Sequence, residues 1–228
     1  MSLKVFPAAK QAELIAGDIS EVIAEALKHQ PKFNLVLTGG TLGIAIAGSL
    51  ASENVEWDRV RIWFGDERFV SLTDPDRNEA QALAVWPALA ELNLVRFPAP
   101  PISLLEAAKD FDTWFSQEFG SVEESDSVFD LVLLGMGPDG HVASLFPGHV
   151  HSKGWVVAEE NSPKPPAQRL SLSYQALNRS RRVWFVVSGA AKHEALRSAL
   201  AQADLPAAKV KGMEETLWLV DEEVSDGL

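Results

Sequence analysis

The stretch FDLVLLGMGPDGHVASLFP, residues 129–147, decides how the chain is read. Its apolar run, Leu131 to Leu134, stops at three closely spaced glycines, Gly135, Gly137 and Gly140, the pattern of a buried strand that delivers a loop. Glycines there allow positive φ and let a ligand approach the backbone closely. Asp139 and His141, residues that a buried strand would not choose, bring a carboxylate and an imidazole to the same turn. Imidazole is the side chain whose ordinary titration falls near neutral pH, so this loop is the candidate catalytic element and the rest of the chain is read as its partner.

Working outward, residues 33–37 form another short apolar run, followed by TGGTLG and then the helical composition IAIAGSLA. A strand, glycine turn and helix in that order aim free backbone N–H groups at whatever lies above the strand, and an anion such as phosphate fits there. The turn from Thr38 to Gly43, to which Thr38 and Thr41 add hydroxyls, is therefore a candidate anion-binding element; no Lys follows, so this is not a Walker A loop, and a plain tight turn has the same signature. RIWF at residues 61–64 reads as a strand leading into Asp66, Glu67 and Arg68, at the carboxyl end where open α/β sheets meet ligands. An exposed salt bridge or helix cap is the plainer reading of that triplet. Arg169 opens the strand-like alternation RLSLS, and residues 183–187 form a buried strand that ends in SGAAKHEALRSAL. Lys192 is expected in the first turn of the helix that follows, where a cation opposes the helix dipole and a bound anion would account for it.

Ile15, Ile19, Val22, Ile23 and Ala26 mark one face of a helix over residues 8–29, with further helices expected at 78–92, interrupted by Pro87, and 107–119. Short strands are expected at 155–157 and 217–220. Strands alternate with helices without repeats or a long linker, which predicts a single α/β domain over residues 1–228, doubly wound around a mostly parallel sheet.

Composition narrows the chemistry. The 228 residues are 46% hydrophobic and carry a formal charge of −12, which argues against nucleic-acid and anionic-membrane partners. The acidic group Glu123, Glu124 and Asp126 reads as solvated surface. Without cysteine there is no disulfide, thiolate zinc site or cysteine nucleophile. No long apolar run or basic-then-apolar leader is present, so the expectation is a cytoplasmic protein.

Two motifs mislead. GMGPDG is a literal G-x-G-x-x-G, with Glu159 and Glu160 about twenty residues on where a dinucleotide site wants its ribose acid. The segment HVASLF that follows is cut by Pro147 and Gly148, too soon for a crossover helix, and Asp139 would face a pyrophosphate with like charge. His141, His149 and His151 lack the spacing of a zinc site, and no metal is expected.

Taken together, TGGTLG, WFGDERFV with DPDRNEAQA, LLGMGPDGHVASLFPG, PPAQRLSLS and SGAAKHEAL, in that order, resemble the 6-phosphogluconolactonase family over roughly residues 31–220. The resemblance implies the Rossmann-like fold shared with glucosamine-6-phosphate deaminase. It also implies hydrolysis of 6-phospho-D-glucono-1,5-lactone in the pentose phosphate pathway, with no cofactor; a monomer or small homo-oligomer is expected. Carried over by position, His141 would be the general base, with Asp139 or Asp66 orienting it. The substrate phosphate would lie among Gly39, Gly40, Thr41, Arg169 and Lys192, with Arg68 close by, and backbone N–H groups of residues 135–140 are candidate oxyanion donors. Ser71 stands where the family often has Pro, and TGGTLG replaces the frequent SGGSTP. The deaminating relatives carry H-x-A-x-N-E-P; here Leu145 and Phe146 replace its Asn and acid, which favours a lactonase over a deaminase. A sugar-phosphate sensor on the same fold is the other alternative; the retained His141 speaks against it.

Overall fold

In the computed structural model, which describes residues 2–120, 123 and 126–227, the strands form two sheets; Glu124 of the acidic group lies outside the described residues. The main sheet contains β1 (Ser2–Phe6), β2 (Phe33–Leu37), β3 (Val60–Phe64), β5 (Asn93–Leu94), β6 (Phe129–Gly135), β9 (Ser180–Val187) and β10 (Glu215–Asp221). Its order is β1-β10-β9-β6-β2-β3-β5, with every neighbouring pair parallel. The smaller sheet is antiparallel and runs β4 (Asp66–Arg68), β8 (Arg169–Leu172), β7 (Val156–Glu159). The helices are α1 (Gln11–Leu27), α2 (Gly40–Leu50), α3 (Asn78–Val85), α4 (Leu104–Phe119), α5 (Tyr174–Asn178), α6 (His193–Leu200), α7 (Pro206–Lys209) and α8 (Glu222–Ser225).

β6 occupies the middle because its side chains tolerate burial on both faces. Leu131, Val132, Leu133 and Leu134 are all inaccessible to water, the continuous apolar run that a central parallel strand requires. Its amino end carries one buried acid, Asp130, whose oxygens accept the N–H of Asn34 at 2.7 Å and the Gln30 amide at 2.8 Å. At the sheet's edge, β1 exposes Leu3 and Val5 and buries only Phe6, so it lacks the patterned burial that marks a strand in sequence.

The helices follow their apolar faces. In α1, Ile15, Ile19 and Ile23 are fully buried, while Val22 and Ala26 pack on the rim of the core. It starts later than its periodicity predicts, because Ala8–Lys10 forms a 3-10 turn behind Pro7. The helix expected over residues 78–92 divides: α3 stops at Val85, and Pro87, which has no N–H to give, opens the 3-10 turn Pro87–Glu91. α4 is clamped to the sheet by a cluster centred on Trp63, whose ring lies 5.4–5.9 Å from those of Phe129, Phe115, Phe119 and Trp114.

The chain leaves β2 for β3 on one side and β6 for β9 on the other, so the winding reverses between β2 and β6. Their carboxyl ends open a crevice there, the usual ligand position in such sheets. Close packing of α2 on the end of β2 shapes one wall. A Cβ built on Gly43 would lie 2.2 Å from the carbonyl oxygen of Thr38, a backbone atom that cannot rotate away. Gly43→Ala is expected to cost about 1–3 kcal/mol through overpacking, read as a lower midpoint in urea denaturation with an unchanged slope.

Candidate active site

Four strand ends supply the site. β2 continues into Thr38, Gly39 and α2; β3 into Gly65 and β4; β6 into the glycine loop; β9 into Ser188, Gly189 and the 3-10 turn Ala190–Lys192. They enclose a cleft of ≈ 260 Å³ whose lining includes Gly39, Gly40, Thr41, Asp66, Arg68, His141, Arg169 and Lys192. Every sequence-predicted site residue except Asp139 thus faces one cavity; Asp139 stands behind His141.

The glycine loop folds on itself. Gly137 N–H donates to His141 O at 3.0 Å, Gly140 N–H donates to Gly137 O at 3.0 Å, and Gly140 holds φ at 81°. A Cβ on Gly137 would sit 2.1 Å from the His141 ring, so the imidazole lies directly over that glycine. Asp139 Oδ1 is 2.5 Å from His141 Nδ1 and also accepts the His141 N–H at 3.3 Å. Burial pushes the Asp139 carboxyl up, but hydrogen bonds and charge from His141 outweigh it and hold the group below its ordinary value. With Nδ1 engaged, Nε2 is the ring nitrogen left for chemistry. Phe146 packs its ring 4.7 Å from the imidazole.

Of the two carboxylates that the sequence offers as partners for His141, only Asp139 contacts it. Asp66 accepts the Ser144 hydroxyl at 2.6 Å and lies 3.9 Å from Arg169 Nη1, so it ties the glycine loop to the small sheet. The expected oxyanion donors are largely committed. Gly135 N–H donates to Thr38 Oγ1 at 3.1 Å, and those of Gly137, Gly140 and His141 are engaged within the loop because so tight a turn closes its own hydrogen bonds.

The cations face each other across the small sheet. Register places Arg68 directly opposite Arg169, a like-charge pairing that a strand pair normally avoids. Burial lowers the Arg169 pKa; Asp66 pulls the other way and Arg68 adds to the lowering. Lys192 ends the 3-10 turn and caps α6, and so precedes the first helical turn where the sequence placed it, because Gly189 at φ 89° starts the turn early. Its pKa is lowered by burial and then by the neighbouring Lys164, against the pull of Asp221. Asp221, fully buried, holds that turn by accepting the Ser188 hydroxyl at 2.7 Å and the Gly189 N–H at 2.9 Å.

The exposed reading of Asp66-Glu67-Arg68 fails for the two acids, which are buried. Glu67 accepts the N–H groups of Arg68, Asn78 and Glu79 at 2.7–2.9 Å, with buried Arg77 at 3.8 Å. Burial pushes its pKa up to about 7, against the pull of Arg77 and of those donors. The first turn of α3 is thereby fixed beneath the cleft, with Asn78 donating to Asp66 O at 2.9 Å and lying close against Gly39. Sequence reading missed Asn78, Ser144 and Lys164 as site residues, although Asn78 and Ser144 fall within the motifs DPDRNEAQA and LLGMGPDGHVASLFPG and Lys164 stands just before PPAQRLSLS. His149 and His151 instead surround Glu159, at 2.8 and 3.9 Å. Among the described residues, no group of three or more His, Asp or Glu is arranged to hold a metal ion, and no helix is long and apolar enough to cross a membrane.

The family model described as glucosamine-6-phosphate isomerases/6-phosphogluconolactonase matches residues 8–218. The 6-phosphogluconolactonase of Mycobacterium leprae is 35% identical over 98% of this chain and 97% of its own length. That of Streptomyces coelicolor is 36% identical over 95% and 90%. The crystal structure of 6-phosphogluconolactonase from Thermotoga maritima superposes with a TM-score of 0.85 at 28% identity, covering 97% of this chain and 100% of the other.

The Asp139–His141 contact has a pH signature. Because the Asp139 pKa is depressed in the folded protein, the stability it contributes is present above the ordinary aspartate value and is lost as pH falls through the folded one. Asp139→Asn should therefore melt below the parent at about pH 7, with the difference closing as pH falls through and below the ordinary aspartate range, measured by thermal denaturation across pH.

Proposed function

The chain belongs to the family of glucosamine-6-phosphate isomerases and 6-phosphogluconolactonases, and from that premise we infer that it hydrolyses 6-phospho-D-glucono-1,5-lactone to 6-phospho-D-gluconate, with His141 as the general base. This is the second step of the oxidative pentose phosphate pathway. The observation that carries the mechanistic part is the 2.5 Å contact between Asp139 and His141 Nδ1, beside a cleft whose lining includes four cations and a glycine turn.

The phosphate is assigned to the N-terminus of α2, at Gly39, Gly40 and Thr41, with Arg68, Arg169 and Lys192 around it. This anchors the lactone ring toward His141. Nε2 takes a proton from water as its oxygen attacks the lactone carbonyl, while Asp139 keeps the Nδ1 proton in place and stabilises the imidazolium. The tetrahedral intermediate collapses by breaking the bond to the ring oxygen, which recovers the proton from Nε2; the new carboxylic acid then ionises. Water and lactone are the only reactants consumed. A cyclic ester is reactive enough for one positioned base to suffice, since general-base catalysis supplies about 10²–10⁴ in rate.

Phe146 favours this reading over deamination. The position where the deaminating relatives carry an acid holds an aromatic ring packed on the imidazole. A single domain over residues 1–228, supported by the family match over residues 8–218, a cytoplasmic location and a monomeric or small homo-oligomeric state complete the proposal.

In an assay of 6-phosphogluconolactone hydrolysis corrected for spontaneous opening, His141→Ala should lower kcat by about 10²–10⁴ with KM changed a few-fold at most. Lys192→Ala and Arg169→Ala should do the reverse, raising KM more than they lower kcat. A His141→Ala enzyme with near-parental kcat would exclude the base assignment. Ammonia release from glucosamine 6-phosphate without lactone hydrolysis would overturn the reaction itself.

A further inference from the structure

Lys164 has no part in the assignments above, yet it lines the same cleft as Lys192. Its backbone is held from several directions. Ser162 Oγ donates to Lys164 O at 2.9 Å and accepts Lys164 N–H at 3.4 Å, and Arg169 Nη2 donates to Lys164 O at 3.0 Å. Arg169 Nε also donates to Pro166 O at 3.1 Å. The buried arginine therefore spends two of its nitrogens fixing the loop that carries Lys164, and Nη1 is the one left facing Asp66. The side chain of Lys164 remains exposed at the mouth of the cleft.

Charge counting gives this placement meaning. The charged residues lining the cleft are Arg68, Lys164, Arg169 and Lys192 against Asp66 alone, in a chain whose formal charge is −12. Among the described residues the lysines that form ion pairs are Lys4, Lys28 and Lys209, so neither Lys164 nor Lys192 has a carboxylate partner. Two unpaired ammonium groups near enough for one to disfavour the charge of the other are an arrangement that a shared anion relieves. A phosphate monoester brings about −1.5 to −2 charges near pH 7 and three acceptor oxygens, and Arg169, committed to the loop carbonyls and Asp66, leaves room for a further cation beside Arg68, Lys192 and the α2 N-terminus.

Resting on the lactonase reading, we propose that Lys164 is a phosphate-binding residue that reaches over the bound substrate from the exposed rim, so that Lys164 and Lys192 flank the phosphate dianion. Lys164 then supplies selectivity for the phosphorylated lactone over its unphosphorylated counterpart, without acting at the reacting carbonyl.

Lys164→Met keeps the aliphatic stem and removes the charge, and Lys164→Arg restores it. For 6-phosphogluconolactone, Lys164→Met should raise KM about tenfold with kcat within about twofold, and Lys164→Arg should recover most of the loss. For glucono-1,5-lactone, which has no phosphate, parent and Lys164→Met should be indistinguishable. Calorimetric affinity for 6-phosphogluconate should fall by a similar factor and become less dependent on salt. An unchanged KM and affinity would overturn the proposal, as would an equal loss toward both lactones, which marks a loop defect. If the parent hydrolyses neither lactone, the lactonase reading fails, and calorimetry with 6-phosphogluconate and inorganic phosphate still decides whether Lys164 binds the anion.

Discussion

Burial of β6 on both faces is the constraint on which the rest depends. The run Leu131 to Leu134, packed between β2 and β9, carries no charge, so charge appears only on either side of that run. At the amino end that charge is Asp130, used up by Asn34 and Gln30 in joining neighbouring segments. At the carboxyl end it is Asp139 and His141, presented by glycines on a turn that closes its own hydrogen bonds. The two ends of one strand thus divide between scaffold and chemistry.

The small antiparallel sheet completes what the large one begins. Pairing of β4 with β8 sets Arg68 against Arg169 and Asp66 against Ser171, so residues far apart in sequence meet at the rim of the crevice. Like charges opposed on neighbouring strands are unfavourable unless something anionic joins them. The surrounding structure holds them there regardless: Glu67 gathers three backbone N–H groups under Arg68, Asp66 sits beside Arg169, and Asp221 pins the turn that bears Lys192. An acidic protein has in this way concentrated cations at one cleft, and the carboxylates nearest to them act mainly as supports.

Local chemistry was legible from the sequence wherever it depends on neighbours in the chain. The strand-to-glycine transitions at residues 37–40 and 135–140, the closeness of Asp139 to His141 and the apolar face of α1 all follow from spacing, because two or four residues of separation determine who meets whom. The same reasoning fails for β1, an exposed edge strand with no burial pattern, and for the three-residue β4, whose burial depends on a sheet that the sequence does not display. The Lys192 turn was misplaced because Gly189 takes a positive φ that composition alone does not announce.

By itself, then, the sequence determined an alternating α/β chain, a phosphate-suited glycine turn and a loop bearing a carboxylate and an imidazole, since each is a property of short range. Tertiary structure decided which carboxylate serves the imidazole: Asp139 touches it, while Asp66 is drawn to Ser144, 78 positions away, and to Arg169. It also decided that the Gly137 and Gly140 N–H groups are engaged within their own loop, that of Gly135 by Thr38, and that Lys164 joins the cleft. These outcomes depend on sheet order and register, which arise from long-range pairing and burial and leave no periodic trace in the chain.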